Sequence, residues 1–293
     1  MFVATIVASG SLGQGDIREA ADRVAATGAK LLGTVELDPG KAADIRFEGD
    51  PKAVRAALQD LPGAIDVVVQ AEASREKKLL VADMDSTMIT IECIDELADY
   101  AGIKAQIADV TERAMRGELD FAEALRARVA LLADLDEAKI DICREERVKI
   151  MPGAKALVRT IGARGGRTVL VSGGFTRFAE PVGADIGFHR VVANVLGIEG
   201  GRLTGGVGDP IVDSARKQQE LEAALADHGI PVALSMAVGD GANDIPMIEA
   251  AGLGVAYHAK EKARAAADAE IRHGDLSVLL YAQGIARRDW ASE

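Results

Sequence analysis

Apolar and polar positions alternate with two different rhythms along the chain. Up to about residue 70 the segments are short and amphipathic: FVATIVAS reads as a strand, DIREAADRVAAT as a helix, and KLLGTVEL and ADIRFEG as strands either side of DPGK. PKAVRAALQDL then reads as a helix and IDVVVQ as a strand. The order β-α-β-β-α-β is the ferredoxin-like arrangement, with two helices on one face of an antiparallel sheet, and it closes without help from the rest of the chain. It predicts a unit over residues 1–72. The polar run AEASREKK that follows predicts a linker, placed at 73–78.

From residue 79 the apolar runs become continuous, each ending in polar or glycine-rich residues: LLVAD, RTVLVSGG, RVVAN, SMAVGDG and GLGVAYH. Uninterrupted runs of this length are strands buried on both faces, so the fold class predicted is α/β, a doubly wound parallel sheet. Residues 92–150 interrupt it. They show helical periodicity and no strand candidate, with Phe121, Leu125, Val129 and Leu132 on one stripe. A helical insertion directly after the first strand stands over the carboxyl ends of the strands, where such sheets bind ligands, and it can act as a lid. The predicted division is therefore a core of 79–91 and 151–293 with a helical cap of 92–150. NVLGIEGGRLTGGV predicts a hairpin turned at Gly200 and Gly201 beside the same mouth.

Composition narrows the function. A chain of 293 residues, 48% of them hydrophobic, can bury a large core. Its net charge of −12, without a basic run, repels phosphate backbones and argues against nucleic acid. A small anionic substrate meets the same repulsion and needs a local cation or metal. No stretch approaches the roughly 18 apolar residues of a membrane span, and MFVATIVASG lacks the basic flank of a signal peptide, so no membrane association and a cytoplasmic location are expected. Cys93 and Cys143 form neither a disulfide framework nor a metal-ligand spacing and are read as reduced thiols. The histidines have no ligand spacing, and GSLGQG reads as a turn.

The polar residues that end the buried strands carry the chemistry: Asp83 and Asp85 after the first, Ser172 with Gly173 and Gly174 after the second, and Asp240 in VGDGAND. Taken singly, an Asp-x-Asp pair is usually a turn or cap, a Ser-Gly-Gly a loop and Lys217 a solvated helix lysine. Their common placement at strand ends raises them together. Phosphomonoester hydrolysis can demand accelerations approaching ~10²¹, and splitting it through a covalent aspartyl-phosphate lowers the barrier. Asp83 suits the nucleophile. Asp85 suits the general acid and base, a role worth on the order of 10² to 10⁴ in rate. Mg²⁺ prefers carboxylate and carbonyl oxygens, and Asp83 and Asp240 are its side-chain candidates. Ser172 and the neighbouring backbone amides can form a concave donor site for phosphate oxygens, and Lys217 can add a fixed positive charge.

DMDST, VSGG, the helix-borne Lys217 and GDGAND resemble the four ordered motifs of the haloacid dehalogenase superfamily of phosphotransferases. More narrowly, DMDSTMITIECIDELA, RGELDFAEALRARVALL and MAVGDGANDIPM resemble its phosphoserine phosphatases. The resemblance, over about residues 79–280, implies a Mg²⁺-dependent phosphatase of phosphoserine, the last step of serine biosynthesis, with the Asp83 strand between the Ser172 and Asp240 strands. It implies Asp83 as nucleophile, Asp85 as acid/base with its backbone carbonyl on the metal, and Asp240 as the remaining protein ligand. Asn243 and Asp244 would shape the metal and phosphate surroundings, Asp244 from outside the ligand set. Ser172, Gly173 and Lys217 would hold the phosphate, Glu92 the substrate ammonium, Arg128 its carboxylate, and Met115 and Phe121 the apolar wall.

Spacing supports Arg128 independently. It lies almost two helical turns after Phe121, on the same face of an apolar stripe, where a cation needs an anionic partner. A planar guanidinium suits a carboxylate, and Glu92 suits an ammonium group. A structural ion pair between these two is the competing reading. Two functional alternatives remain at this stage: transfer of the phosphoryl group to another acceptor such as homoserine or use of another small phosphomonoester, and an amino-acid-sensing protein whose core no longer turns over. By topology the N-terminal unit resembles an ACT-type regulatory domain. Assembly into a homodimer, or simple packing, is the alternative to serine sensing.

Overall fold

The computed structural model describes residues 1–292, and for Met115 the backbone alone. The N-terminal region contains β1 (Phe2–Ala8), α1 (Gln14–Ala26), β2 (Lys30–Asp38), β3 (Ala42–Glu48), α2 (Pro51–Leu58) and β4 (Ile65–Ala71), in the predicted order. β5 (Leu79–Ala82) is followed by four helices, α3 (Cys93–Ala101), α4 (Lys104–Met115), α5 (Phe121–Ala130) and α6 (Ala138–Arg147). Then come α7 (Ala154–Ala163), β6 (Arg167–Phe175), α8 (Thr176–Ile186), β7 (Arg190–Asn194), the hairpin β8 (Leu196–Glu199) and β9 (Arg202–Val207), and α9 (Ser214–His228). The chain closes with β10 (Ser235–Gly239), α10 (Ile245–Ala250), β11 (Gly254–Tyr257), α11 (Glu261–Ala266), β12 (Ala269–Ile271) and α12 (Val278–Ala282).

Ten strands form one sheet in the order β2-β3-β1-β4-β12-β11-β10-β5-β6-β7. β12 through β7 are parallel, and β5 lies between β10 and β6 as expected. All four residues of β5 are buried, because alternate side chains enter cores on opposite faces. Leu79 and Val81 pack with Leu221 and Leu225 of α9 and Met247 of α10. Leu80 and Ala82 pack with Leu157 of α7 and Phe178 of α8.

The sheet differs from expectation in being mixed. The N-terminal strands are antiparallel, and β4 joins β12 in antiparallel fashion at Val67 and Glu270, so the N-terminal sheet is not closed off. β12 has three residues, too short for periodicity to reveal, yet it covers what would otherwise be an open edge of unpaired backbone groups. Ala4, Ile6 and Ala8 of β1 face α1 and α2. The other face of the same sheet carries Val7 and Val68, which share a core with Val278 and Leu279 of α12. The Tyr281 hydroxyl donates to Asp38 Oδ2 at 2.6 Å. The connecting segment is pinned as well. Arg75 pairs with the buried Asp44 through Nη1–Oδ2 (2.7 Å) and Nη2–Oδ1 (3.0 Å), and its Nε donates to the Ala282 carbonyl. Among the described residues no helix is long and apolar enough to cross a membrane.

The helical segment leaves and re-enters the core through paired backbone: Thr90 N–H donates to the Lys149 carbonyl, and Met151 N–H to that of Met88. The predicted hairpin is present, with Gly200 and Gly201 both at positive φ (57° and 79°). It is bonded to the helical segment: Leu203 exchanges backbone hydrogen bonds with Asp134 and Leu135.

Candidate active site

The site grows from the turn after β5. Asp83 is buried at the strand end, and Met84, also buried, anchors a tight turn by accepting backbone hydrogen bonds from Thr87, Met88 and Ile89. Ser86 adopts a left-handed φ of 58°, a conformation that costs a non-glycine residue of order 1–3 kcal/mol. That bend aims the Ser86 hydroxyl at Glu92, to which it donates at 2.8 Å, and Glu92 in turn stands at the start of α3. The turn thus brings the first residue of the helical segment to within one hydrogen bond of the Asp83–Asp85 pair.

Lys217 reaches this point from α9, whose first turn is capped by the Asp213 carboxylate accepting from Arg216 N–H. Its ammonium is fully buried, donating to Asp83 Oδ1 at 2.5 Å and to Asp244 Oδ1 at 2.6 Å. Burial alone would lower its pKa, but the Asp244 and Asp83 carboxylates outweigh this and raise it. Lys217 is therefore a fixed cation. The second Asp244 oxygen accepts the backbone N–H groups of Asp240 and Gly241 at 3.1 and 3.0 Å, so both of its oxygens are engaged. Asn243 belongs to the same turn, between Gly241 and α10.

Carboxylates outnumber cations here. Burial, followed by the charge of Asp244, pushes Asp83 well up from the ordinary carboxylate range. Burial and the charge of Glu92 push Asp85 up to about 7, and burial with Asp244 and Glu92 pushes Asp240 up to about 6. Asp85 Oδ1 is a buried atom without a hydrogen-bond partner among the described residues. Oxygens of Asp83, Asp240 and Asp244 lie within 4.8 Å of one another. A site with this surplus of hard oxygen donors, one of them orphaned, fits a divalent cation such as Mg²⁺.

Opposite lies the loop that ends β6. The register against β7 shifts between Val171 and Phe175, so Ser172, Gly173 and Gly174 bulge out of the ladder. Ser172 is buried and its Oγ accepts from Gly174 N–H at 2.9 Å. Both glycines sit where a Cβ would be crowded by side chains. A Cβ on Gly173 would stand 3.1 Å from Cζ of Phe121, and one on Gly174 would stand 3.0 Å from Ser172 Oγ and 3.1 Å from Asp85 Oδ2. Phe121 opens α5 behind a reciprocal cap between Asp120 and Glu123, and its ring closes over the glycine loop. Arg128, two turns further on, is half-buried, donates to the Ala124 carbonyl at 3.3 Å and has no ion pair within 4.0 Å among the described residues. Burial lowers its pKa, with Asp95 and Glu92 opposing.

The fold thus gathers Asp83, Asp85, Glu92, Phe121, Ser172, Gly173, Lys217, Asp240, Asn243 and Asp244 at one end of the sheet, with Arg128 on the overlying helix facing the charges of Asp95 and Glu92. The Met115 side chain lies outside the described residues. Two neighbours escaped the sequence reading in this role. Cys93 is read from sequence only as a reduced thiol; burial, with the neighbouring Asp85, raises its pKa and keeps it protonated. Asn194 ends the apolar run RVVAN, the same strand-end signal that singled out Ser172.

Residues 80–249 match the family of haloacid dehalogenase-like hydrolases. The chain is 45% identical over 225 residues to the phosphoserine phosphatase of Mycobacterium tuberculosis, covering 76% of this chain and 55% of that protein. It therefore spans about half the length of that relative. It is 47% identical over 208 residues to the phosphoserine phosphatase of Albidiferax ferrireducens, covering 69% of this chain and 88% of that protein. The unliganded structure of a probable phosphoserine phosphatase from Vibrio cholerae superposes with a TM-score of 0.79 at 33% identity, over 99% of this chain and 90% of that one. This chain belongs to the haloacid dehalogenase-like hydrolases and, within them, to the phosphoserine phosphatase family.

Proposed function

We propose that the chain hydrolyses O-phospho-L-serine to L-serine and phosphate through a phosphorylated Asp83. The observation that carries this reading is the buried Lys217 ammonium shared between Asp83 and Asp244, beside an Asp85 carboxyl with an unpartnered oxygen. Asp83 attacks phosphorus, forming the aspartyl-phosphate bond as the bond to the serine oxygen breaks. Asp85, at about 7, retains enough of its proton near neutral pH to deliver it to the departing oxygen. The Asp85 carboxylate then takes a proton from the water that attacks phosphorus, which releases phosphate and restores both aspartates. Ser172 and the bulged glycine loop hold the phosphoryl oxygens, and Lys217 keeps a positive charge against Asp83 as negative charge builds.

Mg²⁺ is the cation proposed for the acidic cluster. Asp83 and Asp240 would hold it by side chain and Asp85 by its carbonyl, while Asp244, whose oxygens are already engaged, would orient Lys217 and the Asp240 turn from outside. Bound there, it supplies positive charge between an attacking carboxylate and an anionic phosphate. Arg128 and Glu92 are proposed to read the carboxylate and ammonium of the amino acid, with Phe121 as the apolar wall and the segment 92–150 as the lid.

The test is phosphate release from phosphoserine with Mg²⁺ and with EDTA, in the presence and absence of homoserine. Free phosphate that requires Mg²⁺ and equals the serine produced is expected. A new phosphoester at the expense of free phosphate, or no phosphate release at saturating Mg²⁺, would overturn the reading.

A further inference from the structure

Asn194 belongs to none of the catalytic or recognition groups above, yet it touches two of the elements that carry them. It ends β7, is buried, and stands opposite Phe175, where β6 returns to register after the Ser172–Gly174 bulge. Its Nδ2 donates to the Gly173 carbonyl at 2.8 Å, and its Oδ1 accepts the Val212 N–H at 2.8 Å. Both ends of the amide are therefore committed, and turning it over would face donor to donor and acceptor to acceptor. The bulge takes Gly173 out of the β6–β7 ladder, and its carbonyl bonds to this side chain instead. Val212 immediately precedes Asp213, the residue that caps α9, and Lys217 lies on the first turns of that helix. The carbonyl oxygen of Val212 is itself 3.7 Å from where a Gly173 Cβ would sit, so the two segments run close together at this point.

We propose that Asn194 is a positioning residue for phosphoryl binding: its side-chain amide staples the Ser172–Gly174 loop to the start of α9 and so sets the separation between the loop's donors and Lys217. The inference rests on the functional reading above. A short amide spanning two peptide groups fixes orientation as well as distance, and a misplacement near 1 Å in such a site can cost on the order of 10²-fold in rate. Its hydrogen-bond partners among the described residues belong to the phosphate-binding loop and the start of α9 rather than to Arg128 or Glu92, so it acts on the phosphate end of the substrate.

The experiment compares wild type with Asn194→Ala, which removes both bonds, and Asn194→Ser, whose hydroxyl can keep one of them in a folded protein. Affinity for inorganic phosphate in the presence of Mg²⁺ is measured by calorimetry, and kcat/KM for phosphoserine and for O-phosphoethanolamine by phosphate release. Phosphate affinity should fall at least tenfold in Asn194→Ala and less in Asn194→Ser. kcat/KM should fall for both substrates by the same factor, so that their ratio is unchanged. A residue that merely supported the fold would reduce the active fraction without moving the phosphate dissociation constant, and that result in a folded variant overturns the proposal. A change in the substrate ratio also overturns it. A wild type that binds phosphate without hydrolysing phosphoserine would remove the functional reading, and the calorimetric comparison would still decide the role of Asn194.

Discussion

A single buried cation among five acids, Asp83, Asp85, Glu92, Asp240 and Asp244, sets the character of the site. Each acid answers differently because its partners differ: Asp244 is tied up by Lys217 and two amides, whereas Asp85 keeps an unpartnered oxygen and a raised pKa. Arg128 presents the complementary case, a half-buried guanidinium whose only protein acceptor among the described residues is a backbone carbonyl. Substituting Arg128→Ala should lower kcat/KM for phosphoserine about 10- to 100-fold, in line with the roughly 1.5–3 kcal/mol of a hydrogen bond to a charged group. O-Phosphoethanolamine, which lacks the carboxylate, should be affected little. Equal losses on both would remove Arg128 from carboxylate recognition. At this scale the sequence was readable where a residue's chemistry and its place at a strand end coincided, as for Asp83, Ser172 and Asp240. Asn194 carries the same strand-end signal, but its two partners are backbone groups that only the folded bulge brings within reach, and the contact of Cys93 with Asp85 left no signal at all.

Elements were legible wherever their period was long enough. The five apolar runs became β5, β6, β7, β10 and β11, and the helical stretch became α3 to α6. β12 escaped because three residues carry no periodicity, and the segment 73–78 reads as polar although the fold grips it. Lys77 shows the cost of that grip. It is almost fully buried, with its ammonium on the Ala233 carbonyl at 3.0 Å, and burial, opposed by Asp268, lowers its pKa to about 8. The folded state therefore releases a proton that the unfolded chain keeps up to about 10.4, so the penalty is complete below pH 8 and fades as pH rises from 8 toward 10.4. Lys77→Met should accordingly stabilise the protein by about 1–3 kcal/mol at pH 7, and by less at pH 9.5. Denaturant midpoints of both proteins at the two pH values provide the measurement. A variant less stable at pH 7, or a difference independent of pH, would contradict the argument.

At the scale of the whole molecule, the site exists because the order β10-β5-β6 puts three strand ends side by side while α9 and the helical segment bring Lys217 and Phe121 to them. The doubly wound half of this arrangement could be anticipated from continuous apolar runs. The single mixed sheet could not, since it depends on one antiparallel bridge between Val67 and Glu270 and on α12 covering the second face of the N-terminal strands. All of this convergence serves one claim, that Asp83 takes the phosphoryl group. Rapid mixing of the Mg²⁺-loaded protein with phosphoserine, acid quenching on the millisecond scale and peptide mapping by mass spectrometry tests it most directly. The account predicts one phosphoryl group on the peptide containing residues 79–90, located at Asp83 and absent from Asp83→Asn. Phosphate release with no covalent phosphoryl group at any quench time, or with the label on Asp85, would contradict it.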